Sequence, residues 1–180
     1  NLFKKIHTDL PDLLSKLAAK NNIEKFIHLS SLGIEKSTDS NYAMSKLEGE
    51  NKIRNNFKKS IILKPSLVYS VDDNFTTNFM TLLSRLPFMP IYYNGKTQFV
   101  PIHVADLVEI IFGVVEGKSN EKTIECIGPE ILSFKEIIVK LLKAINKKRL
   151  IIPLPITIAK ITARLFELMP KPLITVDQLN

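Results

Sequence analysis

Two short strand patterns, residues 24–31 and 60–68, stand on either side of one helical stretch that runs to about Asn56. Each is an apolar run bounded by charges or turn residues, the signature of a buried strand. A strand, a crossover helix and a second strand form the unit from which parallel sheets are built, and they predict an α/β architecture. The next turn and helix carry Phe75, Phe79, Leu82 and Leu83, and Pro87 and Pro90 stop them. Short strands are predicted over 90–105 around the turn Asn94-Gly95, and over 122–128. An apolar helix from Leu107 to Val115 has Asp106 as its predicted N-cap, and a helix through Lys143 opens on a capping box of Ser133 and Glu136. At the start, Phe3, Ile6, Leu10, Leu13, Leu14 and Leu17 recur at helical spacing, with Asp9 as the expected N-cap and Pro11 in the first turn. Pro153 and Pro155 are expected to break the chain before a last amphipathic helix over 156–168.

The chain of 180 residues, 45% of them hydrophobic, has enough material for a sizeable core. It has no run of 18 apolar residues, so no spanning helix is predicted. Its net charge of +7 invites a polyanion as partner. The basic residues are spread out, however, and the one tight cluster, Lys147-Lys148-Arg149, has no interleaved aromatic residues, so nucleic acid is not the expected partner. The single cysteine, Cys126, sits in a strand pattern and reads as a buried, inert thiol. His28 alternates with Ile27 and Leu29 as a core histidine, and His7 has no partner pattern. No Cys, His and carboxylate cluster has metal-ligand spacing.

Chemistry concentrates around the first helix crossover. Ser30 and Ser31 end the first strand, and Tyr42 and Lys46 sit four residues apart on the helix. That spacing is just over one turn and puts both side chains on one face. An ammonium held beside a phenol favours the phenolate. A tyrosine tuned in this way exchanges a proton near neutral pH, and a serine opposite it can hold a carbonyl or hydroxyl.

The order Phe26-Ile27-His28-Leu29-Ser30-Ser31, Tyr42-Ala43-Met44-Ser45-Lys46 and Leu63-Lys64-Pro65-Ser66-Leu67-Val68-Tyr69 resembles the extended and atypical short-chain dehydrogenase/reductase family. Three further stretches, Asp72–Phe79, Phe99–Asp106, and Pro153-Leu154-Pro155 with Leu168–Gln178, resemble the nucleotide-binding accessory subunit of respiratory complex I and its bacterial relatives. The resemblance implies a Rossmann-type NAD(P)-binding sheet and a small mixed α/β C-terminal region. It divides the chain into residues 1–70, the second half of the dinucleotide domain, and 71–180, a smaller substrate or partner region interleaved with it. It implies NADPH, or NADH, held in part by Tyr42 and Lys46 at the nicotinamide ribose, Ser30 and Ser31 near the ring, and Pro65, Ser66, Leu67 and Val68 near its amide. None of the six glycines cluster. The pyrophosphate loop is therefore expected upstream of Asn1, in a preceding half of the fold. The resemblance further implies complex I subunits as partners and a peripheral place at the matrix side of the mitochondrial inner membrane or the cytoplasmic face of a bacterial one, with contact to an anionic membrane surface. Because Ser31, Tyr42 and Lys46 are all present, an active reductase or an epimerase/dehydratase is the alternative.

Overall fold

A computed structural model describes residues 2–37 and 39–155. The expected final helix and the Pro-rich stretch Leu168–Gln178 lie outside them. In chain order the elements are a π-helical turn (Lys4–Asp9), α1 (Leu10–Lys20), β1 (Ile27–Leu29), a 3-10 turn (Ile34–Lys36), α2 (Asn41–Asn56), β2 (Ile61–Pro65), β3 (Val68–Tyr69), α3 (Asn74–Arg85), β4 (Phe88–Tyr92), a second 3-10 turn (Tyr93–Gly95), β5 (Gln98–Phe99), β6 (Ile102–His103), α4 (Val104–Val115), β7 (Thr123–Cys126), β8 (Leu132–Ser133), α5 (Phe134–Ala144) and β9 (Leu150–Leu154). They form two compact units, and each is built from two separate stretches of chain.

The first unit comprises the residues through Ser66 together with Ala105–Ile127. Its sheet is parallel throughout, in the order β1-β2-β7, with His28 opposite Ile62 and Lys64 opposite Glu125. The middle strand has Ile61, Ile62, Leu63 and Lys64 all buried, the continuous apolar pattern of a strand covered on both faces, broken only by the lysine. Cys126 is fully buried, and burial pushes its thiol up, which makes it inert as expected. Lys25 donates to the carbonyls of Val114 and Val115, so a cation closes the C-terminus of α4.

The first helix departs from its sequence pattern in two ways. Asp9 is not an N-cap. It lies within continuous helix (φ −72°, ψ −40°), caps nothing, and pairs with Lys4 at 2.5 Å. The cause is Pro11. A proline has no N–H for the preceding turn, and the hydrogen-bond ladder passes through a π-helical turn just before it. The apolar stripe also does not face the unit's core. Leu10, Leu13, Leu14 and Leu17 are exposed, whereas Thr8, Pro11 and Ser15 are buried. These smaller residues meet α2 through hydrogen bonds: Thr8 donates to the Ser45 carbonyl at 2.8 Å, and Asn56 donates to Asp12 Oδ1 and Ser15 Oγ.

The second unit comprises Leu67–Val104 and the described residues from Gly128 on. It contains three two-stranded pairings. Two are parallel, β3 with β6 and β4 with β9, and one is antiparallel, β5 with β8. Leu83, Met89, Ile91, Ile138 and Leu142 form its core, with Phe79 and Phe134 packed on it edge to face. Asn94-Gly95 does make a tight turn, with positive φ at Tyr93, Asn94 and Gly95, but the strands beside it do not form a hairpin. β4 instead pairs with β9, a strand where breaks at Pro153 and Pro155 were expected. Pro153 fits in β9, which among the described residues has a partner on one side only. Asp106 lies inside the first turn of α4, which starts at Val104, so it is not the N-cap. The strand pattern over 60–68 is interrupted after Pro65, and Val68–Tyr69 joins the second unit. The capping box of Ser133 and Glu136 forms as predicted.

The site helix α2 begins at a cap. Ser40 Oγ accepts from the Ala43 N–H at 3.2 Å, and Ser40 is buried. Replacing Ser40 with Ala is expected to cost about 1 kcal/mol, and Ser40→Asp is expected to keep most of that. Denaturant midpoints of the three proteins check it.

Candidate functional site

The carboxyl ends of β1 and β2 are adjacent because the strands are parallel. The Ser30 N–H donates to the Leu63 carbonyl at 2.8 Å, and the Leu32 N–H to the Pro65 carbonyl at 2.9 Å. The Ser66 N–H continues the pattern to the Cys126 carbonyl at 3.0 Å. Ser30, Ser31, Pro65 and Ser66 therefore share one end of the sheet, the end at which open parallel sheets bind ligands.

α2 brings Tyr42 to the same place. Ser31 Oγ and Tyr42 Oη lie 2.8 Å apart. Lys46 Nζ sits 5.4 Å from the centroid of the Tyr42 ring and makes no hydrogen bond or ion pair among the described residues. Ser30 is buried with an Oγ that has no hydrogen-bond partner among the described residues. A serine–phenol pair, an uncommitted ammonium and a buried hydroxyl with open valence suit a polar ligand with hydroxyls and an amide. Leu67 and Val68 belong to the second unit, where the Leu67 carbonyl accepts from the Ile102 N–H at 2.9 Å and Val68 pairs with Ile102.

Two features escaped sequence reasoning. The first is His7. Its Nδ1 lies 3.0 Å from Ser45 Oγ, its ring stacks on Phe3 at 5.5 Å, and it stands edge-on to Tyr42 at 5.1 Å. Burial, and then the charge of Lys46, hold its pKa below the ordinary histidine value, so the ring is neutral at pH 7. The second is an ion triplet one turn beyond Lys46, two of whose members are buried. Glu50 Oε2 lies 3.1 Å from Lys64 Nζ, and Lys64 also bonds Glu35. Glu50 and Lys64 are buried, and Glu50 Oε1 has no hydrogen-bond partner among the described residues. By strand register Lys64 lies beside Ser30 and on the same face of the sheet as His28. Burial, then Lys46, lowers the pKa of His28. The only advance signal was a lysine inside an otherwise apolar strand.

The parallel sheet and its Ser-Tyr-Lys end have the build of an extended short-chain dehydrogenase/reductase. Solved structures agree on the fold. A dTDP-glucose 4,6-dehydratase from Streptomyces venezuelae, solved with NAD, superposes with a TM-score of 0.73 at 19% identity, over 86% of this chain and 55% of that one. A dTDP-4-dehydrorhamnose reductase from Clostridium acetobutylicum gives 0.68 at 18% identity, over 98% of this chain and 65% of that one.

The sequence relatives are mitochondrial complex I subunits. Subunit 9 of the NADH dehydrogenase [ubiquinone] 1 alpha subcomplex from Mus musculus is 25% identical over 99% of this chain and 48% of its own length. The Dictyostelium discoideum protein of the same name is 28% identical over 65% of this chain and 33% of its own. The chain is thus related in sequence to these mitochondrial complex I subunits, and it spans from a third to about half of their length. No protein-family profile matches it.

Proposed function

We propose that this chain is part of an NAD(P)H-binding accessory or assembly subunit of NADH:ubiquinone oxidoreductase, in which the nucleotide is structural. The observation that carries this reading is the match to a complex I subunit along 99% of the chain. In this reading residues 1–70 are the second half of the dinucleotide domain, and residues 71–180 are a smaller substrate or partner region interleaved with it. Tyr42 and Lys46 hold the nicotinamide ribose, Ser30 and Ser31 face the ring, and Pro65 and Ser66 line its amide. NADPH is the preferred nucleotide. The subunit sits peripherally, on the matrix side of the inner membrane or the cytoplasmic face of a bacterial membrane, with its basic surface against anionic lipid. Among the described residues no helix is long and apolar enough to cross a membrane.

The test is a native gel of source membranes carrying tagged full-length protein, with the nucleotide released from the tagged band and identified. Co-migration with complex I and one tightly held NADPH is the expected result. A free band that exchanges its nucleotide would reject the structural role.

One observation favours a second reading, an active NAD(P)-dependent reductase or epimerase/dehydratase. Ser31 and Tyr42 are already hydrogen-bonded, and a protein named ceramide reductase from Caulobacter vibrioides is 33% identical over 49% of this chain. A bound nicotinamide would supply or accept the hydride. Ser31 would then orient the substrate oxygen, Tyr42 would exchange its proton with that oxygen, and Lys46 would hold the ribose and favour the phenolate. Under this reading Tyr42→Phe abolishes turnover, by a factor of about 100 or more, and leaves nucleotide bound. Under the structural reading the same variant leaves complex I assembly intact and weakens nucleotide retention only. Turnover assays and nucleotide release on the purified variant separate the two.

A further inference from the structure

We infer that His7 is a positioning residue for Tyr42, acting through Ser45 and through ring contact; this rests on the reading of Tyr42 as a nucleotide contact. The serine fixes the hydrogen-bond sense. Ser45 Oγ has one hydrogen and gives it to the Tyr42 carbonyl at 2.8 Å. It therefore accepts from His7, whose Nδ1 carries the proton, 3.0 Å away. The histidine is locked in one tautomer by a bond that ends on the backbone of the tyrosine it touches.

The rings complete the setting. Phe3 stacks on His7 with an interplanar angle of 16° and also meets Tyr42 edge-on at 6.0 Å. His7 and Phe3 thus wall the phenol on the helix side, and Ser31 Oγ meets its hydroxyl. A tyrosine between two rings and a serine has few alternative rotamers, and pre-setting it lowers the ordering cost of ligand binding.

The backbone is arranged to put His7 there. The π-helical turn before Pro11 carries it, and buried Thr8 ties the same turn to the Ser45 carbonyl. The His7 carbonyl approaches α2 so closely that a Cβ on Gly49 would lie 2.0 Å from its oxygen. Two bonds converge on Ser45 from adjacent residues, His7 and Thr8, and a glycine makes room for them.

The experiment uses full-length protein with four substitutions. His7→Asn places an amide N–H where Nδ1 stood, whereas His7→Gln carries it one carbon farther, and His7→Leu fills the space without a donor. Tyr42→Phe assigns the Tyr42 signal in ¹³C-tyrosine NMR spectra recorded without nucleotide, and NADPH affinity is measured by fluorescence. His7→Leu and His7→Gln are expected to shift or broaden the Tyr42 resonance and to weaken NADPH binding by about tenfold, the worth of one hydrogen bond with a ring contact. His7→Asn restores the donor without the ring, and is expected to fall between wild type and the Gln variant in both readouts. A Tyr42 resonance unchanged in the Leu and Gln variants overturns the inference, as does an Asn variant as impaired as the Gln one. If His7→Leu fails to fold, the Asn and Gln pair decides. If the wild-type protein holds no NADPH, the reading of the site falls, and the NMR comparison alone decides the role of His7.

Discussion

Gly49→Ala is expected to lower the melting temperature by about 6 °C and to disturb the Tyr42 site with it. Two effects oppose each other at this position. Gly49 lies inside α2, where alanine is the better helix former by about 1 kcal/mol. The new methyl would, however, stand 2.0 Å from the His7 carbonyl oxygen and 3.6 Å from the Thr8 Cα. The obstacle is backbone, so no rotamer change relieves it, and the π-helical turn must move away from α2. Moving it breaks the Thr8 and His7 bonds to Ser45 and opens the buried joint at Thr8 and Ser15. Overpacking of this kind costs about 3 kcal/mol or more, which outweighs the propensity gain. For a chain of this size the net of about 2 kcal/mol corresponds to a drop of about 4–8 °C. Differential scanning calorimetry checks it. A variant as stable as wild type would show that the two helices are not pressed together here.

Lys64→Ala is expected to cost about 3–5 kcal/mol, because it leaves Glu50 as an uncompensated buried carboxylate. The partner that matters is Glu50, whose side chain is 3% exposed, whereas that of Glu35 is 48% exposed and screened by water. Burial alone would pull the Lys64 ammonium down, and the hydrogen bonds with Glu35 and Glu50 more than offset it, so its pKa is raised. The sign follows. The Lys64 contribution is complete below about 10.5, the ordinary lysine value, and is lost as pH rises through the raised value in the folded state. The hydrogen bond from Lys64 holds Glu35 below its ordinary 4.5, so its smaller share is present above that value and lost on acidification. Removing both buried charges should behave differently from removing one. Glu50→Leu with Lys64→Met is expected to recover most of the loss and to flatten the alkaline fall in stability. Urea midpoints across pH for the single and double variants test this. A double variant as unstable as Lys64→Ala would mean that the triplet does more than balance charge.

Local order was legible in the chain wherever one element sufficed to define it. Strand, serine, Tyr-x-x-x-Lys helix and Pro-Ser strand end followed from periodicity and spacing, and the Ser133 capping box followed from four residues. What escaped depends on two elements at once. The face of α1 that meets α2 is chosen by Thr8, Pro11 and Ser15 fitting against Ser45, Gly49 and Asn56, and an apolar stripe of leucines suggests the opposite face. His7 had no pattern around it because its partners lie on another helix. β9 was hidden by Pro153, since a proline argues against a strand unless one edge is known to lack a partner. The triplet at Lys64 was invisible because Glu35 and Glu50 come from two different elements.

The two-part make-up of each unit also bears on how the chain can be made. β2 finds β1 early, but its other neighbour, β7, is translated only after β3, α3, β4, β5, β6 and α4. The second unit is in the same position, since β4 waits for β9 and β5 waits for β8. Neither unit can close before a stretch of the other has been made. A nascent chain that has passed Ser66 therefore carries an apolar strand with one edge bare until Thr123–Cys126 has been made. Pairings this far apart in sequence make for slow closure, and a slow, strand-exposing intermediate is the kind that a chaperone is needed to shield.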